Sequence, residues 1–543
     1  MKAILSIRTI FFLLLAGFSS VAPAQQKPIP RLVKTGSKVS LIVDGKPFIM
    51  LGGQVGNNSA TQERMAHAWP KLKAYHANTV EFPVYWKTIE PQEGKFDFSD
   101  FDNVLKDCRA QGLKAVLLWF GSNKCGKYLW IPSWVKQDSS RFPKMMDING
   151  NTANSIALSL HSKATLDVEL KAYTAFMKHL SELDKNDRTV ILMQVENEPG
   201  LLGSVRDFSA ATNRLFNGPV PAKLTAALRK KAGTWKAVFG PRLADETFSA
   251  YYMADYMNKL AVAGKRIYPI PTYVNVWMGG QGTNDRFNEF DRPGDSYPSG
   301  GPVSHLIDVW KAAAPDIDII APDIYHQSST IYRTILTRYT RPDNPLLIVE
   351  TGQGMVFARN CFYALADYSA LGFAQYGIDG GGSDAVGQGF TDVGANFRLI
   401  KPAIPVIARL QGTNKLKAAV EEEAIPSRML YFDNYDILTQ FPLGMNDKGG
   451  AMPLSEKSYI PSGRVLFAQL QPDEFLILGF NALIDFKPPI GSGFKHARFL
   501  SVEEGIFENG VWKTTASRDI KPDARDLKLS AEGTMLKVKL TRN

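Results

Sequence analysis

The tightest constraint on the fold is a rhythm. Eight short apolar segments, at 48–53, 78–86, 113–120, 189–198, 266–277, 317–325, 345–350 and 373–379, are separated for the most part by stretches of helical periodicity. The clearest of these are FDNVLKDCRAQ at 101–111, stopped by Gly112, and residues 165–183. Short apolar strands alternating with helices predict parallel pairing through helical crossovers. Eight such units over roughly 350 residues suit a closed (β/α)8 barrel with long loops better than an open sheet. A hairpin at 37–48, turning at Asp44-Gly45, precedes the series.

Beyond about residue 405 the alternation stops. LYFDNYDIL, RVLFAQLQPDEFLILGF, GIFENGVWKTT and MLKVKL are short strand-like segments punctuated by turn residues. They predict a small all-β sandwich packed on the barrel. The expected fold class is therefore α/β, a TIM barrel over 25–404 followed by a sandwich over 405–543.

The first 24 residues read as an export signal. Lys2 and Arg8 precede an apolar core at 10–18, and Ala22-Pro23-Ala24 supplies an A-x-A cleavage step. The expectation is an exported protein, periplasmic or extracellular, with no membrane span, since no later stretch reaches about 20 apolar residues. Removing Lys2 and Arg8 with this leader takes the formal charge from +10 to +8. That charge is spread along the chain without a basic block, which argues against a nucleic-acid partner. The three cysteines, Cys108, Cys125 and Cys361, cannot all pair and have no metal-ligand spacing; the seven histidines show none either. No cofactor or metal is expected.

Two of the apolar segments end in acids. TVILMQVENEPG (189–200) delivers Glu198 behind Asn197, and PLLIVETG (345–352) delivers Glu350. In a barrel of parallel strands the chemistry sits at the C-terminal strand ends, so both carboxylates face one mouth. Two carboxylates can divide acid and nucleophile roles because environment sets their pKa values apart, and glycoside hydrolysis uses such a pair. Period-2 reading adds further mouth residues. Tyr273, Asn275 and Trp277 share a face of the fifth segment, and Asp323 and Tyr325 share one of the sixth. Gln194, Glu196 and Glu198 share one of the fourth, with Glu196 deeper and hydrogen-bonded. Trp119, at the tip of the third segment, offers a flat ring for a sugar face, against the alternative of a core tryptophan. Tyr85 shares a face with Glu81 in the second. Trp130 and Trp134 lie in a loop where packing is the default. GIDGGGSD (377–384) lacks the lysine of a phosphate-binding loop.

These residues carry a resemblance. QVENEPG resembles the acid/base motif of glycoside hydrolase family 35, QVENE followed by an aromatic and Gly. The likeness continues through Leu51-Gly52-Gly53, through NTVEFPVYWKTIEPQEGKFDFSDFD (78–102) and through 112–134. It implies a retaining β-galactosidase acting on terminal β-galactose, with Glu198 as acid/base and Glu350 as nucleophile. Asn197 would hold the hydroxyl beside the reacting carbon, and Tyr325 would stand near the nucleophile. The chain departs from the family pattern at Pro83, at Pro199, and at Lys127, which stands where members carry a galactose-recognising acid. A related barrel glycosidase of other specificity, β-glucosidase or arabinosidase, and a catalytically silent glycan-binding barrel are the alternatives. Carbohydrate is the expected partner in each case.

Overall fold

The computed structural model describes residues 27–125, 127, 129–152, 157–278, 292–380, 391–423, 425–441, 460–508, 510–520 and 526–543. The leader at 1–24 and the end of GIDGGGSD lie outside the described residues.

Three short antiparallel strands, β1 (Arg31–Thr35), β2 (Lys38–Val43) and β3 (Lys46–Phe48), open the fold. Asp44 and Gly45 turn between β2 and β3 with φ of 50° and 78°. Both residues are left-handed, as a tight two-residue hairpin requires.

The barrel follows: β4 (Met50–Gln54), β5 (Thr79–Tyr85), β6 (Lys114–Lys124), β7 (Val190–Asn197), β8 (Thr272–Trp277), β9 (Ile319–Ile324), β10 (Glu350–Thr351) and β11 (Gly372–Tyr376). Neighbours in sequence pair in parallel from β4 to β10, and β11 pairs with β4. The ring closes where Ile348 N–H donates to Gly372 O and Ala374 N–H to Ile348 O, at 3.2 and 2.9 Å. The expected segments all reach the barrel, with two informative shifts. β8 starts at Thr272 and not at 266, because Arg266 caps the preceding helix and Pro269 and Pro271 lack the N–H a ladder needs. β6 runs past Phe120 to Lys124, which changes the role of Trp119.

Helices cover the outside of the barrel. Lys163–Leu183 begins where the Ser162 side chain accepts from Thr165 N–H, satisfying one of the free donors of the first turn. Trp235–Lys265 bends at Gly240, whose φ is 75°, just before Pro241.

The last barrel helix, Thr391–Leu410, leads to antiparallel strands from Leu416 onward, in sheets of six and four strands. Val465, Phe467, Phe475 and Ile477 point between the two sheets. Leu466, Ala468, Leu476 and Leu478 alternate with them and join the barrel core. RVLFAQLQ and EFLILGF are therefore apolar on both faces because both faces are covered. The contact is locked by Glu422, which receives Arg333, Arg428 and the Tyr363 hydroxyl, and by Glu423, which receives Arg359. Among the described residues no helix is long and apolar enough to cross a membrane.

Candidate active site

The apolar run of β7 is buried along its whole length, and its end is irregular. Glu196 and Glu198 have φ of 61° and 46°, a left-handed backbone that ordinary side chains seldom adopt. Strict alternation therefore fails here. Glu196 does not share the Glu198 face; it accepts from Gly121 N–H and meets Glu169 of helix Lys163–Leu183. Glu198 turns to the mouth of the barrel.

Around Glu198 the strands supply matching groups. Asn275 on β8 accepts the Glu198 N–H at 2.7 Å and donates through Nδ2 to Asp323 on β9, also at 2.7 Å. The Cys125 thiol donates to Glu198 Oε2 at 2.7 Å, and Lys124 Nζ stands 3.8 Å from the same oxygen. With its amide oxygen assigned toward these donors, Asn197 accepts from Lys124 Nζ at 3.1 Å. Glu350, at the start of β10, accepts from Tyr325 OH at 2.5 Å and from Gln54 Nε2 at 3.1 Å. Carboxylate oxygens of Glu198, Asp323 and Glu350 all come within 4.8 Å of one another. These are the side chains among the described residues that approach closely enough to share a cation, and the Lys124 ammonium already brings positive charge to them.

The electrostatics follow from that crowding. Burial, then the Glu198 charge, push the Glu350 carboxyl up to about 7, against the opposing pull of Lys124, Tyr325 and Gln54. Burial and the charges of Glu350 and Glu198 likewise hold Asp323 well above the usual carboxylate range. Burial works against the Lys124 ammonium, but the Glu198 and Glu350 carboxylates act the other way and the amine stays charged. The Cys125 thiol is pushed up by burial and by Glu198, so it stays protonated and able to donate. Three carboxyls facing one lysine thus hold a proton to higher pH than an isolated carboxyl would.

Of the residues read from sequence, Glu198, Glu350, Asn197, Asn275 and Tyr325 come together. Tyr273 lies inside the barrel, its hydroxyl 3.4 Å from Glu81 Oε2. Trp277 ends β8 half-buried, in register with Asp323. Tyr85 stands to one side, accepting the Ala60 N–H at 3.2 Å and meeting Phe120 edge-on. Trp119 is a correction. It is fully buried against Tyr173 and Phe176 of helix Lys163–Leu183 and donates to Glu169 Oε1 at 3.0 Å. It faces the helices because β6 continues for five residues beyond it, so it is not at a tip. Trp130 and Trp134 pack in their loop, bonded to Asn58 and to the Glu90 carbonyl.

Sequence reasoning missed Lys124, Cys125 and Gln54, and left Asp323 as a face-mate of Tyr325. Gln54 and Asp323 carried a signal, each being a polar residue at the end of an apolar strand. Lys124 carried none, because its place depends on the extension of β6; Cys125 stands where the family 35 segment after the third strand carries a cysteine, but that match gave it no role.

Comparisons with known proteins bear on this site. A family model described as beta-galactosidase, of the glycoside hydrolase family 42 type, matches residues 57–242. A model described as a domain of unknown function, DUF5597, matches 393–518. The chain is 30% identical over 179 residues to a beta-galactosidase of Xanthomonas manihotis, covering 32% of this chain and 27% of that protein. It is 27% identical over 174 residues to beta-galactosidase-1-like protein 3 of Homo sapiens, covering 30% and 23%. The chain thus spans about a quarter of the length of these curated relatives. Among solved structures, a beta-galactosidase from the psychrophilic Marinomonas ef1 aligns at a TM-score of 0.46 and 13% identity, over 65% of this chain and 60% of that one. The sequence likeness is thus to beta-galactosidase-type glycoside hydrolases. The matched segment contains Lys124, Asn197 and Glu198 but ends before Asp323 and Glu350.

Proposed function

We propose that the chain is an exported, retaining β-galactosidase that removes terminal β-D-galactosyl residues from oligosaccharides or plant cell-wall side chains. The observation that carries this reading is the approach of Glu198 and Glu350 at the barrel mouth, oxygens within 4.8 Å. That favours the carboxyl spacing of about 5–5.5 Å used by retaining enzymes over the about 6.5–9.5 Å that leaves room for an inverting water. Glu350, oriented by Tyr325 and Gln54, attacks the anomeric carbon while Glu198 gives its proton to the leaving oxygen. The glycosyl–Glu350 ester is then hydrolysed by water that Glu198 deprotonates, and the sugar leaves with its configuration kept. The QVENE step supports a family 35 lineage for this site, and the beta-galactosidase likeness over 57–242 supports the sugar. Lys127, standing where family 35 carries its galactose-recognising acid, favours the second reading, a barrel glycosidase of other specificity.

Turnover across aryl β-galactoside, β-glucoside, α-arabinoside and β-fucoside separates these readings. The expected result is fastest cleavage of the β-galactoside, with a loss on the order of 10³-fold or more in Glu350→Gln. Cleavage of none of them, with glycans still bound, would instead make this a binding barrel. Export rests on the leader at 1–24; a mature N-terminus at Gln25 in protein recovered outside the cytoplasm is the expected finding.

A further inference from the structure

A second pair of carboxyls lies behind the mouth, on the far side of β7. Glu196 and Glu169 are both fully buried. Glu169 is well supplied with donors: Trp119 Nε1–H at 3.0 Å and Ser122 N–H at 3.3 Å on Oε1, and the Tyr256 hydroxyl at 2.7 Å on Oε2. Glu196 Oε2 accepts the Gly121 N–H at 3.1 Å, while its Oε1 has no donor. Both Oε1 atoms converge on Gly121. A Cβ there would stand 1.9 Å from that of Glu169 and 2.5 Å from that of Glu196. Two buried carboxylates without a cation between them are untenable, since neither charge is compensated. A proton on Glu196 Oε1, donated to Glu169, satisfies the orphan oxygen and leaves one charge, on the carboxyl that has three donors.

We propose that Glu196 and Glu169 form a carboxylic acid–carboxylate pair that acts as the positioning device for Glu198, holding the left-handed turn on which Asn197 and Glu198 are presented. The link is short. Glu196 is tied through Gly121 to β6 and through Glu169 to a helix, and its own left-handed residue begins the turn that ends at Glu198. Loss of the shared proton sets two anions against each other, and the turn slackens. Glu198 then loses its fixed place against Asn275 and Cys125. Burial and the Glu169 charge push Glu196 well above the usual carboxylate range, the direction a retained proton requires. The other titratable groups facing the pair are Tyr173, on the helix of Glu169, and Tyr256, on helix Trp235–Lys265, both raised by burial and by Glu169. β6 offers backbone N–H groups, with Trp119 and Ser122.

The inference rests on Glu198 being the acid/base, and the experiment keeps the two ideas apart. Glu196→Gln carries an amide that donates to Glu169 as the acid does, whereas Glu196→Leu fills similar space and donates nothing. The expected result is kcat within about threefold of wild type for Gln and at least about thirtyfold lower for Leu, with KM little changed in both. A dinitrophenyl glycoside, whose leaving group needs no acid, removes Glu198's proton from the first step. With it, hydrolysis of the glycosyl-enzyme limits kcat, and in that step Glu198 acts as base, so its own titration produces no alkaline fall. The alkaline fall in wild-type kcat then reports the pair, and Gln should abolish that fall. Equal losses in Gln and Leu, or an alkaline limb that Gln does not move, overturns the proposal. A failure of the hydrolase reading itself shows separately, as no cleavage of any glycoside by the wild type, and a failure of the Glu198 and Glu350 assignment shows as undiminished turnover in Glu198→Gln and Glu350→Gln.

Discussion

At Glu350, burial and the neighbouring Glu198 carboxylate act in the same direction, and together they lift an ordinary carboxyl from 4.5 to about 7. In the unfolded chain neither influence exists. Folding therefore takes up a proton at this residue between those two values, and its effect on stability has a definite sign. It costs nothing below about pH 4.5, costs more as pH rises toward about 7, and is constant beyond. Glu350→Gln removes that cost, so the variant's Tm should exceed the wild type's by a margin that grows from pH 4.5 to 7 and then levels off. Thermal scans across that range check it; a margin that shrinks with pH contradicts it. Glu198→Gln removes the second cause of the shift. The acid limb of dinitrophenyl glycoside cleavage, which titrates Glu350 as nucleophile, should move below its wild-type position. These two residues were legible in the sequence because each closes an apolar run with a single acid.

The two elements that matter most, β6 and β7, show where that legibility ends. Their existence and order follow from hydrophobic rhythm, but the side on which a residue falls depends on backbone that hydrophobicity does not report. β7 breaks period two at Glu196, so a residue expected beside Glu198 faces the helices. β6 extends to Lys124, so Trp119 belongs to the wall, while Lys124 and Cys125, neither given a role from sequence, reach Glu198. Gly121 lets these strands and helix Lys163–Leu183 meet. With a Cβ only 1.9 Å from Glu169 Oε1, Gly121→Ala should lower stability by about 3 kcal/mol, the upper range for overpacking. It should also lower kcat more than KM rises. Denaturant unfolding with steady-state kinetics checks this, and a variant as stable and active as wild type would refute the packing described here.

For the molecule as a whole, the sandwich is part of the barrel's own core. Leu416, Leu466, Leu478 and Phe480 are buried in the same cluster as the barrel helices. The strands of the sandwich and their packing on the barrel were readable from the sequence, but the residues that make the attachment were not. Glu422 and Glu423 look like a solvated acidic run, yet they receive Arg333, Arg428 and Arg359. Removing Glu422 leaves Arg333 and Arg428 without their shared acceptor. Glu422→Ala should cost about 2–3 kcal/mol, visible as a lower midpoint in a single calorimetric transition, with KM unaltered. Separate barrel and sandwich transitions in the wild type would contradict a shared core.

The central claim, that Glu350 is the nucleophile of a retaining reaction assisted by Glu198, has one direct test. The protein is incubated with an activated 2-deoxy-2-fluoro-β-galactoside, whose glycosyl-enzyme hydrolyses slowly, then digested and sequenced by mass spectrometry. The account predicts one added fluorosugar per chain, carried by the peptide containing Glu350 and absent in Glu350→Gln. A label on Asp323 or Glu198, or turnover of the parent glycoside with inversion and no label at all, would contradict it.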